Sequence, residues 1–317
     1  MPPAKNEVTD KVRLLQRTLY RKAKQEESYR FYSLYDKVCR EDVLRRAWKQ
    51  VKSNDGSGGV DEEEIRDIVA EGRVEDLIWQ ARQALLDRTY RPQPGRRVEI
   101  DKPQGGKRLL GIATVRDRVV QTAIKIVLEP IFEADFHDCS YGYRPKRDAK
   151  MASIRLRSDL YNRAWGVLEI DLKSYFDSIP HGKLMKLLAR RVSDGAMLEL
   201  VKRCIRVGVS HEGVITPTRI GVPQGSPLSP LLSNIYLNVL DQVWHKRGYD
   251  RPENLHATMH RFADDAVIVL RKSGRPVREA LNAILKRMEL TLNEEKTHET
   301  RLTEGFDFIG FQFVKRR

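Results

Sequence analysis

The chain has 317 residues, and its 58 lysines and arginines outnumber 44 aspartates and glutamates, giving a formal net charge of +14. It contains no run of about 18 apolar residues, so we expect no membrane-spanning helix and no membrane partner. The three cysteines, Cys39, Cys139 and Cys204, are widely scattered, which predicts reduced thiols in the cytoplasm rather than a disulfide framework. The excess of positive charge favours a nucleic-acid partner.

The first third of the chain predicts mainly helices. Apolar residues recur at helical spacing over residues 9–53, and the glycines from Gly56 to Gly59 predict a break before further helices over 61–90. Residues 1–50 hold 13 basic and 7 acidic side chains. A β-hairpin is then expected from Arg96 to Ile112, before a long helix and an alternation of strands and helices.

Two adjacent carboxylates, Asp264 and Asp265, belong to the most informative segment. Met259 to Phe262 precedes them and Ala266 to Leu270 follows, and both stretches are rich in strand-forming residues. This pattern predicts a tight hairpin with the two aspartates at its tip. An Asp-Asp pair alone is most often a solvated turn, so a metal site needs further ligands.

Two more segments complete the pattern. Asp171 follows the apolar run Val167 to Ile170, and a third carboxylate beside the pair makes a site for two hard divalent cations. Gly221 to Pro230 is rich in glycine and proline, so a base or sugar could approach its backbone closely. The apolar spacing of Leu231 to Val243 then predicts a helix.

In chain order these segments resemble motifs A, B and C of the reverse transcriptases, and they are most similar to the bacterial group II intron-encoded type. Asp171 matches the first catalytic aspartate, and Gly221 to Pro230 matches the loop that contacts template and nucleotide. Phe262 to Asp265 matches the Tyr-Ala-Asp-Asp box, with phenylalanine in place of tyrosine. Other segments resemble further motifs of the family: Asn54 to Asp61, Arg97 to Ile112, Ser140 to Pro145, Leu290 to Thr297 and Phe306 to Phe311.

The resemblance implies an α+β fold, with the fingers and palm of a right-hand polymerase and a helical N-terminal extension. We expect a basic extension at residues 1–60, fingers at 61–165 and a palm at 166–317, within which about 181–220 contacts the fingers. The family normally continues into a helical thumb or maturase domain, which we expect to be absent from these 317 residues.

The resemblance also implies the chemistry. Asp171 and Asp264 would hold two Mg²⁺ ions, with Mn²⁺ as an alternative, while Asp265 acts as a weaker ligand and the carbonyl of Leu172 completes the coordination. Phosphoryl transfer of this kind depends on positioning and charge neutralisation. The implied partners are an RNA template, a DNA primer and deoxynucleoside triphosphates.

Five further residues are assigned to substrate binding by the same resemblance. Lys102 and Arg108 flank the hairpin turn that grips the triphosphate, the lysine as a point charge and the arginine through a bidentate contact. Phe176 would exclude a 2′-OH from beneath the sugar, or else pack in the palm core. Gln224 would contact the nascent base pair, and Lys296 would donate a proton to pyrophosphate.

The predicted activity is therefore RNA-directed DNA polymerisation, with intron RNA as a further partner. Two alternatives remain open: a splicing factor that mainly binds RNA, and a defence or CRISPR-associated reverse transcriptase of intron descent. The intact Asp171, Asp264 and Asp265 argue against a purely structural role. The sequence leaves the native template, the primer source and the oligomeric state open.

Overall fold

A computed structural model describes residues 5–101, 107–211 and 214–315. The mixture of helices and strands agrees with the predicted α+β class. The helices in chain order are α1 (Lys5–Gln25), α2 (Tyr35–Val38), α3 (Glu41–Asn54), α4 (Ile65–Ala70), α5 (Val74–Leu86), α6 (Val115–Glu133), α7 (Ala149–Leu160), α8 (Tyr175–Ser178), α9 (His181–Arg191), α10 (Gly195–Arg206), α11 (Ser229–Lys246) and α12 (Gly274–Met288).

The strands of the described residues form two four-stranded sheets and one hairpin. One sheet has the order β2-β1-β4-β5, the other has the order β6-β7-β3-β8, and β9 pairs with β10. The strands are β1 (Gly95–Asp101), β2 (Lys107–Ile112), β3 (Gly166–Ile170), β4 (Val209–His211), β5 (Val214–Thr216), β6 (Thr258–Phe262), β7 (Asp265–Leu270), β8 (Glu299–Arg301), β9 (Phe306–Phe308) and β10 (Phe311–Phe313).

The chain divides into two compact units. The first unit comprises Met1–Asp135 and Pro180–Leu232, and the second comprises Phe136–Ile179 and Ser233–Arg317. The division groups residues 136–165 with the strands of the predicted palm, although the sequence assigns them to the fingers. The functional boundaries between extension, fingers and palm remain predictions, because a grouping by contacts does not test them.

Helix α6 forms the centre of the first unit. Most side chains from Val115 to Phe132 are buried, so this helix is covered on all sides rather than along one stripe. It begins after Thr114, whose hydroxyl accepts a hydrogen bond from the amide of Asp117. Helices α1 and α3 pack against it, and Gln16 of α1 donates to the carbonyl of Ile126.

The helical character predicted for residues 9–53 is confirmed, and the region consists of the separate helices α1, α2 and α3. Between α1 and α3 the backbone is held by a distant acidic residue of the same unit. The carboxylate of Asp194 accepts hydrogen bonds from the amides of Leu34 and Tyr35, at 2.7 and 2.8 Å. A long-range contact of this kind leaves no trace in local helical spacing.

The break predicted at Gly56 to Gly59 is confirmed. A Cβ atom on Gly59 would lie 2.6 Å from the backbone nitrogen of Thr114, so only glycine lets this loop reach the start of α6. Arg96 of β1 donates to the carbonyl of Gly58 at 2.8 Å, which ties the loop to the first sheet.

Strand β3 is the centre of the second unit. It pairs antiparallel with β7 on one side and with β8 on the other. Its buried side chains join a core cluster with α7 and the β9-β10 hairpin, which includes Leu156, Val167, Val267, Phe306 and Phe313. Each fully buried large apolar side chain contributes about 1.5–3 kcal/mol to the stability of the fold. This packing against one face of the sheet restricts the movement of its strands.

Cys39, Cys139 and Cys204 are free thiols, as expected. Within residues 5–101, 107–211 and 214–315, no helix combines the length and apolar character needed to cross a membrane.

Candidate active site

Two of the predicted carboxylates lie side by side at one end of the β6-β7-β3-β8 sheet. The last residue of β3, Ile170, is opposite Ala266 of β7, so Asp171 and Asp265 are the next residues across the two strands. The apolar residues of both strands are buried, and a slip of one residue would turn them towards solvent. Burial therefore fixes the register that brings these two aspartates together.

The third carboxylate, Asp264, lies in the turn of the predicted hairpin. Phe262 of β6 pairs with Asp265 of β7, which leaves Ala263 and Asp264 as a two-residue connection. Ala263 has a φ of 57°, in the left-handed region that tight hairpin turns require. Asp264 is partly exposed and Asp265 is exposed. The predicted hairpin is confirmed, and its carboxylates are accessible from solvent.

The segment after β3 is fixed by residues 291–297. The carbonyl of Asp171 accepts from the amide of Asn293 at 2.8 Å, and the amide of Lys173 donates to the carbonyl of Thr291 at 2.9 Å. These bonds form the bridge between Leu172 and Leu292, and the carbonyl of Leu172 takes no part in it. That oxygen therefore fits its predicted role as a ligand.

Lys296 lies beside the first aspartate. Its ammonium nitrogen is 3.6 Å from Oδ2 of Asp171, and 59% of the lysine side chain and 37% of the aspartate side chain are exposed. An ion pair this exposed is screened by water and contributes little to stability. The contact nevertheless places the positive charge of Lys296 next to the carboxylate of Asp171.

The donor set fits hard divalent cations. Asp171, Asp264 and Asp265 supply carboxylate oxygens, and Leu172 supplies a carbonyl, which are the ligands that Mg²⁺ and Mn²⁺ prefer. In the described part of the chain, no three His, Cys, Asp or Glu side chains are already arranged to hold a metal ion. The donors thus lie near one another at the end of a sheet without forming a complete coordination site.

Phe176 and its neighbour Tyr175 have different environments. Tyr175 is buried, and its hydroxyl donates to the carbonyl of Ser233 at 2.8 Å. Burial raises the pKa of this phenol well above its usual value. Phe176 stays partly exposed, with its ring 5.6 Å from that of Tyr175. The core position is therefore taken by Tyr175, which favours the substrate-facing alternative for Phe176.

Gln224 and the backbone of Arg108 belong to the first unit. Gln224 is partly buried, and its carbonyl accepts from the amide of Gly111 on β2 at 2.9 Å. Arg108 lies in β2, but its side chain is outside the described part of the structure, as is the whole of Lys102. The predicted hairpin itself is confirmed by the antiparallel pairing of β1 and β2.

Three residues that support the site were missed by sequence reasoning. Asn293 and Thr297 hydrogen-bond to the backbone of Asp171, and nothing in their local sequence signals that role. Arg261 did carry a signal, since a cation within an otherwise apolar strand is rarely buried without a partner. It is fully buried three residues before Asp264.

Known proteins resemble this chain over most of its length. The sequence profile of the family Reverse transcriptase (RNA-dependent DNA polymerase) matches residues 100–313. Protein YkfC of Escherichia coli (strain K12) is 32% identical over 96% of this chain and 88% of its own length. The group II intron-encoded protein LtrA of Lactococcus lactis subsp. cremoris is 30% identical over 90% of this chain, which spans 57% of LtrA.

A solved structure supports the fold alone. Apo telomerase from Candida tropicalis, truncated from its C-terminal domain, superimposes with a TM-score of 0.52 and 16% identity, over 69% of this chain and 53% of that one. Members of the matched family use divalent metal ions, which agrees with the carboxylates at the end of the second sheet. From the profile match and these relatives, the chain belongs to the reverse transcriptase (RNA-dependent DNA polymerase) family and is of the group II intron-encoded type.

Proposed function

We propose that this chain is an RNA-directed DNA polymerase that adds deoxynucleotides to the 3′-OH of a primer paired with an RNA template. The observation that carries the proposal is the pairing register of β3 and β7, which makes Asp171 and Asp265 neighbours beside the Asp264 turn. Charge neutralisation is the main requirement of phosphoryl transfer, and accessible carboxylates at a rigid sheet end supply the means to hold cations.

The proposed cations are two Mg²⁺ ions, held by Asp171 and Asp264, with Asp265 as a weaker ligand and the Leu172 carbonyl completing the shell. When bound, such ions favour deprotonation of the attacking hydroxyl and stabilise charge on the leaving pyrophosphate. The contribution of the chain itself is to hold these oxygens at fixed neighbouring positions.

The other predicted residues orient the nucleotide. Phe176, partly exposed five residues after Asp171, lies beneath the sugar and leaves no room for a 2′-OH. Lys296, already beside Asp171, is in a position to give a proton to pyrophosphate. Gln224 contacts the nascent base pair, and Lys102 and Arg108 bind the triphosphate.

Primer extension with poly(rA) annealed to oligo(dT), dTTP and Mg²⁺ tests the proposal directly. We expect extension that depends on the divalent cation. RNA and primer that bind the protein but are not extended with either Mg²⁺ or Mn²⁺ would contradict polymerase activity and favour the RNA-binding alternative.

A second role in binding structured RNA, such as an intron, is supported by α1. Residues 11–25 of this helix contain six basic residues and no acidic residue, and Arg13, Arg17 and Arg21 form an exposed row at helical spacing. Such a row suits a phosphate backbone. Replacing the three arginines with glutamine should weaken RNA binding and its salt dependence, while extension at saturating template stays intact. Unchanged affinity would exclude α1 from the RNA interface.

A further inference from the structure

Arg261 of β6 is a buried cation next to the turn that carries Asp264. Only 1% of its side chain is exposed, and none of the Asp241 side chain. Its guanidinium donates to the carboxylate of Asp241 at 2.5, 3.0 and 3.2 Å. It also donates to the carbonyl of Ala263 at 2.7 Å. One side chain thus joins a buried anion to the residue that precedes Asp264.

A second group of contacts holds the same turn. The side-chain oxygen of Asn234 in α11 accepts a hydrogen bond from Arg261 at 2.9 Å. The side-chain nitrogen of the same residue donates to the carbonyl of Gly142 at 2.8 Å. A Cβ atom on Gly142 would overlap the backbone nitrogen of Ala263. The backbone of Gly142 therefore lies directly against the turn, in a space that no other residue type fits.

Neighbouring backbone bonds complete this arrangement. The amide of Arg261 donates to the carbonyl of Cys139 at 2.8 Å, and the amide of Tyr141 donates to the carbonyl of Arg261 at 2.9 Å. Ser140 thus forms an isolated parallel β-bridge with Arg261 near the end of β6. All of these residues belong to the second unit.

The energetics favour a geometric role for this ion pair over a stabilising one. Moving two charges out of water is unfavourable for each ion, and well-packed apolar residues of similar volume often stabilise a core as well or better. An apolar pair, however, could not donate to the carbonyl of Ala263. The left-handed φ of Ala263 is unfavourable for a residue other than glycine, and it persists only because surrounding contacts impose it.

We propose that Arg261, clamped by Asp241 and Asn234, is a positioning residue of the polymerase reaction. It holds Ala263 in its left-handed conformation and thereby sets the direction in which the Asp264 carboxylate points. Gly142 limits the same turn from the other side. The inference rests on the proposed function, because it assigns Asp264 to metal binding.

The test compares Arg261→Lys and Asn234→Ala with the wild-type protein in primer extension as Mg²⁺ is varied. Lysine keeps the charge beside Asp241 but has no fork to reach Ala263 as well. Asn234→Ala removes the contacts to Arg261 and to the carbonyl of Gly142 while leaving the ion pair. Replacing a residue that orients a metal ligand typically lowers metal affinity or activity by about 10- to 100-fold. We expect the half-saturating Mg²⁺ concentration to rise by about that factor, with affinity for primer-template unchanged.

Gly142→Ala reaches the same turn without touching the ion pair, and Gly182→Ala is its control, because a Cβ atom there meets nothing within 4 Å. We expect Gly142→Ala to raise the Mg²⁺ requirement and Gly182→Ala to leave it unchanged. Thermal unfolding of each variant separates a loss of stability from a change in the Mg²⁺ requirement. A lower melting temperature together with wild-type Mg²⁺ dependence would show a merely structural role and overturn the inference.

The wild-type reaction separates this inference from the proposed function. Absence of extension by the wild-type protein would contradict the polymerase assignment itself. Active wild-type protein, with variants of unchanged Mg²⁺ dependence, would contradict only the positioning role of Arg261. If Arg261→Lys does not fold, Asn234→Ala still provides the test, because its half-saturating Mg²⁺ concentration is also expected to rise.

Discussion

The two four-stranded sheets differ in how much of their surface is buried. In the first unit, β1 is largely exposed beyond its first residue and β5 is exposed throughout, with Ile215 at 58%. In the second unit, β3 and β7 are almost entirely buried, with Ile268 at 0%. Rigid placement of a charged group requires packing beneath it, so the carboxylates of a reaction centre belong on the second kind of sheet.

The exposed surface of the first sheet and the end of the second sheet also carry different charged groups. The strands of the first sheet carry cations such as Arg96, Arg97 and Lys107, whereas the second sheet ends in Asp171, Asp264 and Asp265. Exposed strands with few buried contacts open at low cost, which suits residues that grip and release a phosphate-bearing substrate. Substitutions in each sheet test this contrast between an exposed sheet and a buried one.

The largest effect is expected at the end of the buried sheet. Asp264→Asn removes a proposed metal ligand, so primer extension should fall by about 10³-fold or more, equivalent to about 4 kcal/mol of transition-state stabilisation. RNA affinity should stay nearly constant, because it depends on cationic side chains. Steady-state extension rates and RNA titrations measure both quantities. Asp76→Asn, at an exposed position on α5, is the matched control, and an equal loss in both variants would refute the assignment.

A matched pair of isoleucines tests the difference in burial. Ile268→Ala should destabilise the protein by about 2–5 kcal/mol, because it leaves a cavity in the core of the second unit. Ile215→Ala should change stability by less than about 0.5 kcal/mol, because its side chain is already largely hydrated. Denaturant unfolding followed by circular dichroism gives both values. Similar losses for the two variants would mean that the first sheet is covered in solution.

Discrimination between deoxyribonucleotides and ribonucleotides distinguishes the partly exposed ring of Phe176 from the buried ring of Tyr175. Phe176→Val removes the ring but keeps an apolar side chain, so ribonucleotides should be admitted and discrimination should fall by about 10- to 100-fold. The ratio of kcat/KM values for dTTP and UTP on the same primed RNA measures the change. Tyr175→Phe keeps a ring in the neighbouring core position, so it should leave the ratio unchanged. A ratio unaffected by Phe176→Val would place that ring in the core.

The smallest effect concerns pH and the first unit. His181 is buried, and Nε2 lies 2.6 Å from the carbonyl of Gly221. Burial lowers the pKa of His181 below its usual value near 6.5. Neutral His181 is therefore compatible with the fold above that pH, and stability is lost as the pH falls from 6.5 towards the lowered value.

Replacing His181 with glutamine removes this titration. Between pH 7.5 and 5.5 the melting temperature of the wild-type protein should decrease by roughly 2 °C more than that of His181→Gln. Differential scanning fluorimetry at the two pH values measures this difference. A larger decrease in the variant would show that the acid sensitivity has another origin.

Much of the site was predictable because it consists of short segments with strong local patterns. The hairpin around Asp264 and Asp265, the strand before Asp171 and the helix after Gly221 to Pro230 all lie where their residues predict. Apolar and β-branched stretches specify strands, and the register of a buried strand allows only one choice of inward face. The α+β class was implied by the resemblance to the reverse transcriptases, and the observed helices and strands agree with it.

The missed features depend on contacts between distant parts of the chain. The break between α1 and α3 is fixed by Asp194, about 160 residues away, and the backbone of Asp171 is held by Asn293 and Thr297. Gly142 was recognised only as part of a family motif, and its contact with Ala263 was not foreseen. Local spacing carries no information about such partners.

The sequence by itself predicted which residues carry the chemistry: three carboxylates at or beside the ends of strands, a small-residue loop and an excess of cations. Only the tertiary structure decided how those residues are held. It placed Asp171 beside Asp265 through antiparallel pairing and bound the Asp264 turn through buried Arg261. The physical reason is that residue type fixes what a side chain can bind, whereas direction depends on hydrogen bonds and packing from segments that are close only after the chain has folded.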